Sequence, residues 1–369
     1  MNAPSAAAAP KTPPNAGGFV DCDIHPAFKS RADLDQFLSK RWREHRATIG
    51  GRPRQPYTSR TAFPRFTPED GMRLDAWPDG GGPPGSDVEF MRKQHLDHYG
   101  IRYGVLLPLL GGAFDERNLD YAAALATAIN DWQAACWLDR EPRLRASIVV
   151  QPDDPDSAVA EIERRAKDRR FVQVMLVLRM TEPVGRKRYR RILEAAAANG
   201  LPVALHLGGS NGHASTASGW PSYYYEEHHS YVQSAEAVVS SLVVEGAFER
   251  SPDLKVVMVE GSMAFLPPLS WRLDNHWKRL KAEVPHLTRA PSEYIRDHVW
   301  MTTQPIDEPE RPADILTVLE WIGWDRVMTA TDYPHWDEDD PRYSMRVPLP
   351  KPEGAKVLFE NALKLYNLE

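Results

Sequence analysis

Lys187–Leu207, KRYRRILEAAAANGLPVALHL, holds the unit from which the rest of the chain is built. Lys187–Asn199 has helical periodicity, Asn199-Gly200 reads as the helix's C-terminal stop, and Val203–Leu207 is a short apolar run suited to a buried strand. Working outward, the same alternation recurs. Apolar runs rich in β-branched residues stand at Phe19–Ile24, Gly104–Leu109, Ala146–Val150 and Val172–Leu178, and again at Lys255–Val259, Val299–Thr303 and Val327–Thr331. Helix-like stretches lie between them at Tyr121–Leu138, Ser157–Arg169 and Ser234–Arg250. Strands that alternate with helices pair in parallel, because each helix returns the chain to the start of the next strand. Eight such units predict an α/β fold, a distorted (β/α)8 TIM barrel. An open doubly wound sheet is the alternative, since a strand count does not establish closure.

Two stretches break the repeat. Gly50–Gly85 is rich in Pro, Gly, Arg and Asp, and Gly208–His229 reads GGSNGHASTASGWPSYYYEEHH. Each follows a strand, so both are expected as long active-site loop insertions, near 50–85 and 208–229. The start, MNAPSAAAAPKTPPNAG, reads as a disordered tail over 1–17, leaving 18–369 as one barrel domain. The net charge of -6 and the scattered Lys and Arg argue against nucleic-acid and anionic-membrane partners. With 42% hydrophobic and 26% charged residues the composition is that of a globular protein, and no run of 18 apolar residues suggests a membrane span. Cys22 and Cys136 are too few for a disulfide framework, and a cytoplasmic setting is expected.

The chemistry begins at Asp23-Ile24-His25. Residues i and i+2 of a strand point the same way and can grip one ion together. In isolation, Asp23 could instead cap the next turn and His25 bond a backbone carbonyl. His206 interrupts the apolar run VALHL, where a buried imidazole needs a partner and a metal is one of the few favourable ones. Asp332, in TDYPH, ends the eighth run. Four N/O donors at the C-terminal ends of strands 1, 5 and 8 would converge on one point in a barrel, which is improbable for unrelated caps and core histidines.

These motifs resemble the amidohydrolase superfamily, in the subgroup that contains aminocarboxymuconate semialdehyde decarboxylase and resorcylate-type decarboxylases. The likeness spans nearly the whole chain. It rests on Asp23-x-His25, LHLGG around His206, Glu260-Gly261 followed by LPPLSWRLD, TDYPH around Asp332, and Asn361-Ala362 in FENALKLY. The resemblance implies one divalent metal ion, usually zinc and sometimes manganese, held by Asp23, His25, His206 and Asp332. It also implies a small-molecule substrate and a homodimer. The decarboxylases of this subgroup end the sixth strand with a substrate-contacting His, followed three residues later by Glu. Here the segment reads Val259-Glu260-Gly261-Ser262-Met263-Ala264 and matches neither position. Glu260 could hydrogen-bond a metal-bound water, orient a ligand, ligate the ion, or pair with Arg272.

His335 could contact substrate or steady a neighbour. His228 and His229 could reach the mouth if their loop folds inward, but are expected in solvent or at a subunit contact; Trp220 and Tyr223–Tyr225 could wall a substrate ring, with a subunit contact favoured for Tyr223–Tyr225. Trp271–Asp274 is expected to pack. Under this reading Asp332 is a general base for a metal-bound water, with His206 and His25 holding the ion. The catalytic set is then Asp332, His206, Glu260 and His335. A carboxylate at Glu260 would repel a departing carboxylate, so the expected reaction is hydrolysis of an amide, lactone or related bond. Non-oxidative decarboxylation of an aromatic or enolic carboxylate is the alternative. A purely structural metal is disfavoured, because structural zinc sites are closed and Cys-rich.

Overall fold

A computed structural model describes residues 18–30, 32–51, 71–110, 112–178, 180–207, 214, 216 and 218–368. Its eight strands are β1 (Phe19–Ile24), β2 (Ile101–Leu106), β3 (Leu144–Val149), β4 (Phe171–Val177), β5 (Val203–His206), β6 (Val256–Val259), β7 (Val299–Thr302) and β8 (Val327–Met328). They pair in parallel in that order. The strands are buried along nearly their whole length, which is why they read as continuous apolar runs rather than alternating ones.

Backbone bonds between β1 and the segment after β8 complete the ring. Cys22 N donates to Thr329 O at 3.0 Å, Asp332 N to Asp23 O at 3.2 Å, and His25 N to Tyr333 O at 2.8 Å. A (β/α)8 barrel therefore forms, and the open-sheet alternative falls. The eighth strand is shorter than its apolar run because Thr329 N turns to Val357 O at 3.0 Å, and the chain beyond it pairs with β1. The second strand lies three residues earlier than expected. Pro108 lacks the N–H needed to extend the ladder, and the half-exposed Arg102 and Tyr103 conceal the true start.

Tail residues 1–17 and the segments 52–70 and 208–213 of the two expected insertions lie outside the described residues. What is described of the first insertion is tied to the turn after β8. Trp336 N donates to Gly71 O at 2.7 Å, and Arg73 N to Pro334 O at 3.1 Å. Asn361 anchors the C-terminal helix Asn361–Tyr366 by donating from Nδ2 to Trp324 O (2.7 Å) and Val327 O (2.8 Å). The Asn of the FENALKLY stretch is thus structural. Asp274, within the LPPLSWRLD stretch, accepts from Ser292 N (2.9 Å) and Oγ (2.7 Å) and so fixes the helix Pro291–His298. Trp271 is exposed rather than packed. Among the described residues, no helix is long and apolar enough to cross a membrane.

Candidate metal centre and its mouth

His25 lies one residue beyond β1, and its Nδ1 is 2.8 Å from Leu107 O. A carbonyl can only accept, so Nδ1 carries the proton, and a neutral ring presents the Nε2 lone pair on the other side. Nε2 faces Asp332 Oδ1 at 2.8 Å, Asp23 Oδ1 at 3.2 Å and Glu260 Oε1 at 3.3 Å. From β5, His206 places Nε2 2.9 Å from the same Glu260 oxygen.

A lone pair and three carboxylate oxygens repel one another unless a proton or a cation sits among them. Both Asp23 oxygens, His25 Nε2, both His206 ring nitrogens and Glu260 Oε1 are buried and make no well-formed hydrogen bond. Buried polar atoms are normally paired, so a convergence of orphans marks a ligand set. Donor atoms of Asp23, His25, His206 and Glu260 lie within 4.8 Å of one another, as do those of His25, Glu260, Asp332 and His335. These N/O donors fit a divalent cation.

Burial raises the Asp23 carboxyl, against the pull of His25 and His206. Burial and the neighbouring Glu260 push Asp332 well up. Glu260 is mostly enclosed, and desolvation opposes its charge, yet His206 and His25 hold it well below the usual carboxylate range. His25 is raised well above an ordinary histidine, since its acidic neighbours outweigh its burial. Burial and His25 drive His335 well down, and its Nδ1 lies 2.5 Å from Asp332 Oδ1.

Backbone geometry aims the acids. Glu260 has φ 57° and Asp332 φ 67°, left-handed values that non-glycine residues rarely adopt and that cluster at functional sites. The turn after β6 is pinned by Asp307, which accepts from Ser262 Oγ (2.5 Å), Met263 N (2.9 Å) and Ala264 N (2.7 Å). Gly85, at φ +77°, presses so close that a Cβ there would stand 2.4 Å from His25 O.

The structure thus gathers Asp23, His25, His206, Asp332, His335 and Glu260, and Glu260 pairs with the two imidazoles instead of with Arg272. Two expectations need correction. His228 is not left in solvent: its Nε2 lies 3.3 Å from Asp337 Oδ2, and its ring packs among Tyr224, Tyr231 and Trp336. The tyrosine run also splits. Tyr224 turns inward and its hydroxyl accepts from Trp336 Nε1 at 3.3 Å, while Tyr223, Tyr225 and Trp220 are exposed, as is His229. Tyr224 and His228 stand four residues apart on the short helix Tyr224–His229, a spacing visible in the sequence.

A buried chain behind the cluster escaped the sequence reading. Asp21 Oδ2 is 2.7 Å from His95 Nε2, His95 Nδ1 is 3.4 Å from Glu338 Oε1, and Glu338 Oε2 takes Arg73 Nη1 at 2.6 Å. Asp21 also accepts from Thr331 N (3.0 Å) and Oγ1 (2.7 Å), binding β1 to the turn that carries Asp332. Asp21 had a signal, two residues before Asp23 on the same strand. His95 had none.

An α/β barrel with a carboxylate and imidazole cluster where β1, β5, β6 and the turn after β8 meet defines a class before any comparison is made. Residues 20–368 match the family described as Amidohydrolase, and the chain belongs to that family of enzymes. A gamma-resorcylate decarboxylase from Rhizobium sp. (strain MTP-10005) is 24% identical over 299 residues, covering 77% of this chain and 88% of that enzyme. An amidohydrolase from Mycobacterium avium subsp. paratuberculosis K-10 shares the fold with a TM-score of 0.72 at 20% identity, over 95% of this chain and 99% of that one. So does a dihydroxybenzoic acid decarboxylase from Polaromonas sp. JS666, solved with manganese and 2-nitroresorcinol (TM-score 0.66, 19% identity, 95% and 97% covered).

The relatives overturn the expectation of hydrolysis, because those with a named reaction are decarboxylases. The flaw lay in treating Glu260 as a bare negative charge facing the substrate. Its Oε1 instead faces His206 and His25, so its charge is directed into the cluster.

Proposed function

We propose that the chain is a metal-dependent, non-oxidative decarboxylase of a hydroxyaromatic carboxylic acid. The observation that carries this is the convergence of buried, unpaired N and O donors on His25 Nε2, beside a family likeness to decarboxylases. Asp23, His25, His206 and Asp332 would hold the ion, with Glu260 beside or among them; manganese and zinc both suit the donors. A divalent cation bound there supplies Lewis acidity and a fixed positive charge for an anionic substrate.

The remaining work falls to the protein. His25 is oriented in advance by Leu107 O, and the turn pinned by Asp307 fixes Glu260. Asp332 Oδ1 lies 2.5 Å from His335 Nδ1, so that a proton on either atom is within reach of the other. As the ring-to-carboxylate C–C bond breaks and CO2 leaves, the bonding pair stays on the ring carbon. That carbon takes the proton from Asp332, so ArCO2⁻ and H⁺ become ArH and CO2. The test loads the protein with Mn²⁺ and follows CO2 release from a panel of ortho-hydroxy aromatic acids. Release from at least one, abolished by chelation and restored by Mn²⁺, is expected. No release from any, with stoichiometric metal bound, would overturn the reading.

A further inference from the structure

The mouth beside the cluster is strongly acidic. Asp23, Glu260 and Asp332 meet there, and Asp337 follows Asp332 by five residues. An anionic substrate approaching this mouth needs a cationic group besides the metal. His228 is placed to be one. Its ring centroid lies 6.0 Å from that of Trp336, the residue directly after His335 of the cluster. Asp337 Oδ2 takes Nε2 at 3.3 Å, favouring the imidazolium, and Nδ1 lies on the opposite side of the ring from that contact. Around it stand three rings, with centroids 5.6 Å (Tyr224), 6.0 Å (Trp336) and 5.4 Å (Tyr231) from its own. His25 cannot serve in the same way, since its Nδ1 is engaged by Leu107 O.

We propose that His228, oriented by Asp337 and walled by Tyr224 and Trp336, receives the substrate, its Nδ1–H donating to a carboxylate oxygen while the aromatic rings pack against the substrate ring. This assignment rests on the decarboxylase reading and names the residue that selects a flat aromatic anion. A cationic donor with flanking rings recognises charge and planarity together. His228 contacts substrate and not the metal, so its loss spares the ion.

The experiment uses the full-length, Mn²⁺-loaded protein with 2,6-dihydroxybenzoate and, as a probe without the carboxylate, resorcinol. Binding, kcat, KM and bound Mn²⁺ are measured for wild type, His228→Gln and His228→Phe; the Phe variant keeps the ring packing should Gln disturb the fold. Expected for both variants is at least a tenfold weaker Kd and higher KM for 2,6-dihydroxybenzoate, with unchanged Mn²⁺ content and resorcinol binding changed less than threefold. Unchanged dihydroxybenzoate binding in a folded variant would overturn the role of His228. An equal loss for both probes, or loss of Mn²⁺, would also overturn it, by showing a packing role. Failure of wild type to bind or turn over any hydroxyaromatic carboxylate would instead strike the decarboxylase reading itself.

Discussion

Nδ1 of His25 donates to the Leu107 carbonyl while Nε2 faces three carboxylates, so this ring is aimed before any ligand arrives. Of the two sequence readings of His25, the backbone bond is made by Nδ1, while Nε2 is left facing the carboxylates. His206 has no such partner, since both of its nitrogens are buried and without a well-formed hydrogen bond. His206→Ala should therefore lower bound metal and turnover together, checked by metal analysis and CO2 release; survival of both would exclude it as a ligand. Asp332→Asn keeps an oxygen donor but cannot deliver a proton to the ring carbon. Metal should stay bound while turnover falls about 10²–10⁴-fold, the usual scale of a lost proton-transfer group. Behind them, burial opposes charge on His95, but the hydrogen bonds it donates to Asp21 and Glu338 raise it to about 9. The unfolded value is about 6.5, so the stability His95 adds is fully present below about pH 6.5 and is lost as pH rises through about 9. His95→Gln should cost about 3–5 kcal/mol at pH 6, since it leaves buried carboxylates uncompensated. The gap to wild type in urea melts should shrink by pH 10; a pH-independent gap would refute the charge assignment.

Short segments between elements do the aiming. The turn after β6 bends Glu260 into the cluster through two left-handed residues, Glu260 and Ser262, and Asp307 holds that turn with three hydrogen bonds. Asp307→Ala should loosen the turn without touching the donors, lowering metal affinity about tenfold or more while the far-ultraviolet circular dichroism stays native; metal titration reads it. The first insertion braces His25 at Gly85, whose positive φ and 2.4 Å approach of an added Cβ to His25 O leave no room for a side chain. Gly85→Ala should cost about 1–3 kcal/mol by strain and overpacking and weaken metal binding with it. Equal melting temperature and metal content would show that the loop yields. Element boundaries were legible where the local chain set them: β1 matched its apolar run, and Asn199-Gly200 ended its helix. They were less so at β8, where the ladder passes to β1, a neighbour more than 300 residues earlier in the chain.

Across the whole molecule, the ring of eight parallel strands brings β1 and the turn after β8 side by side, and the cluster exists only because that seam closes. Exposed aromatics at the rim, Tyr223, Tyr225 and Trp220, suit the homodimer that the family resemblance implies. Sedimentation at micromolar concentration should give twice the chain mass, and Tyr223→Ser with Tyr225→Ser should shift it towards monomer; a wild-type monomer would refute this. By itself the sequence determined the repeating strand and helix units and singled out Asp23, His25, His206 and Asp332, side chains the fold brings together, because periodicity and residue chemistry are local properties. Tertiary structure alone decided that Glu260 faces two imidazoles, that Asp307 pins its turn, that His95 bridges Asp21 and Glu338, and that His228 turns inward to Asp337. Each depends on which distant side chain occupies the neighbouring space. A charge alone in the sequence, such as Glu260, has no fixed effect until its counter-charges are placed, which is why the reaction could not be chosen from its sign.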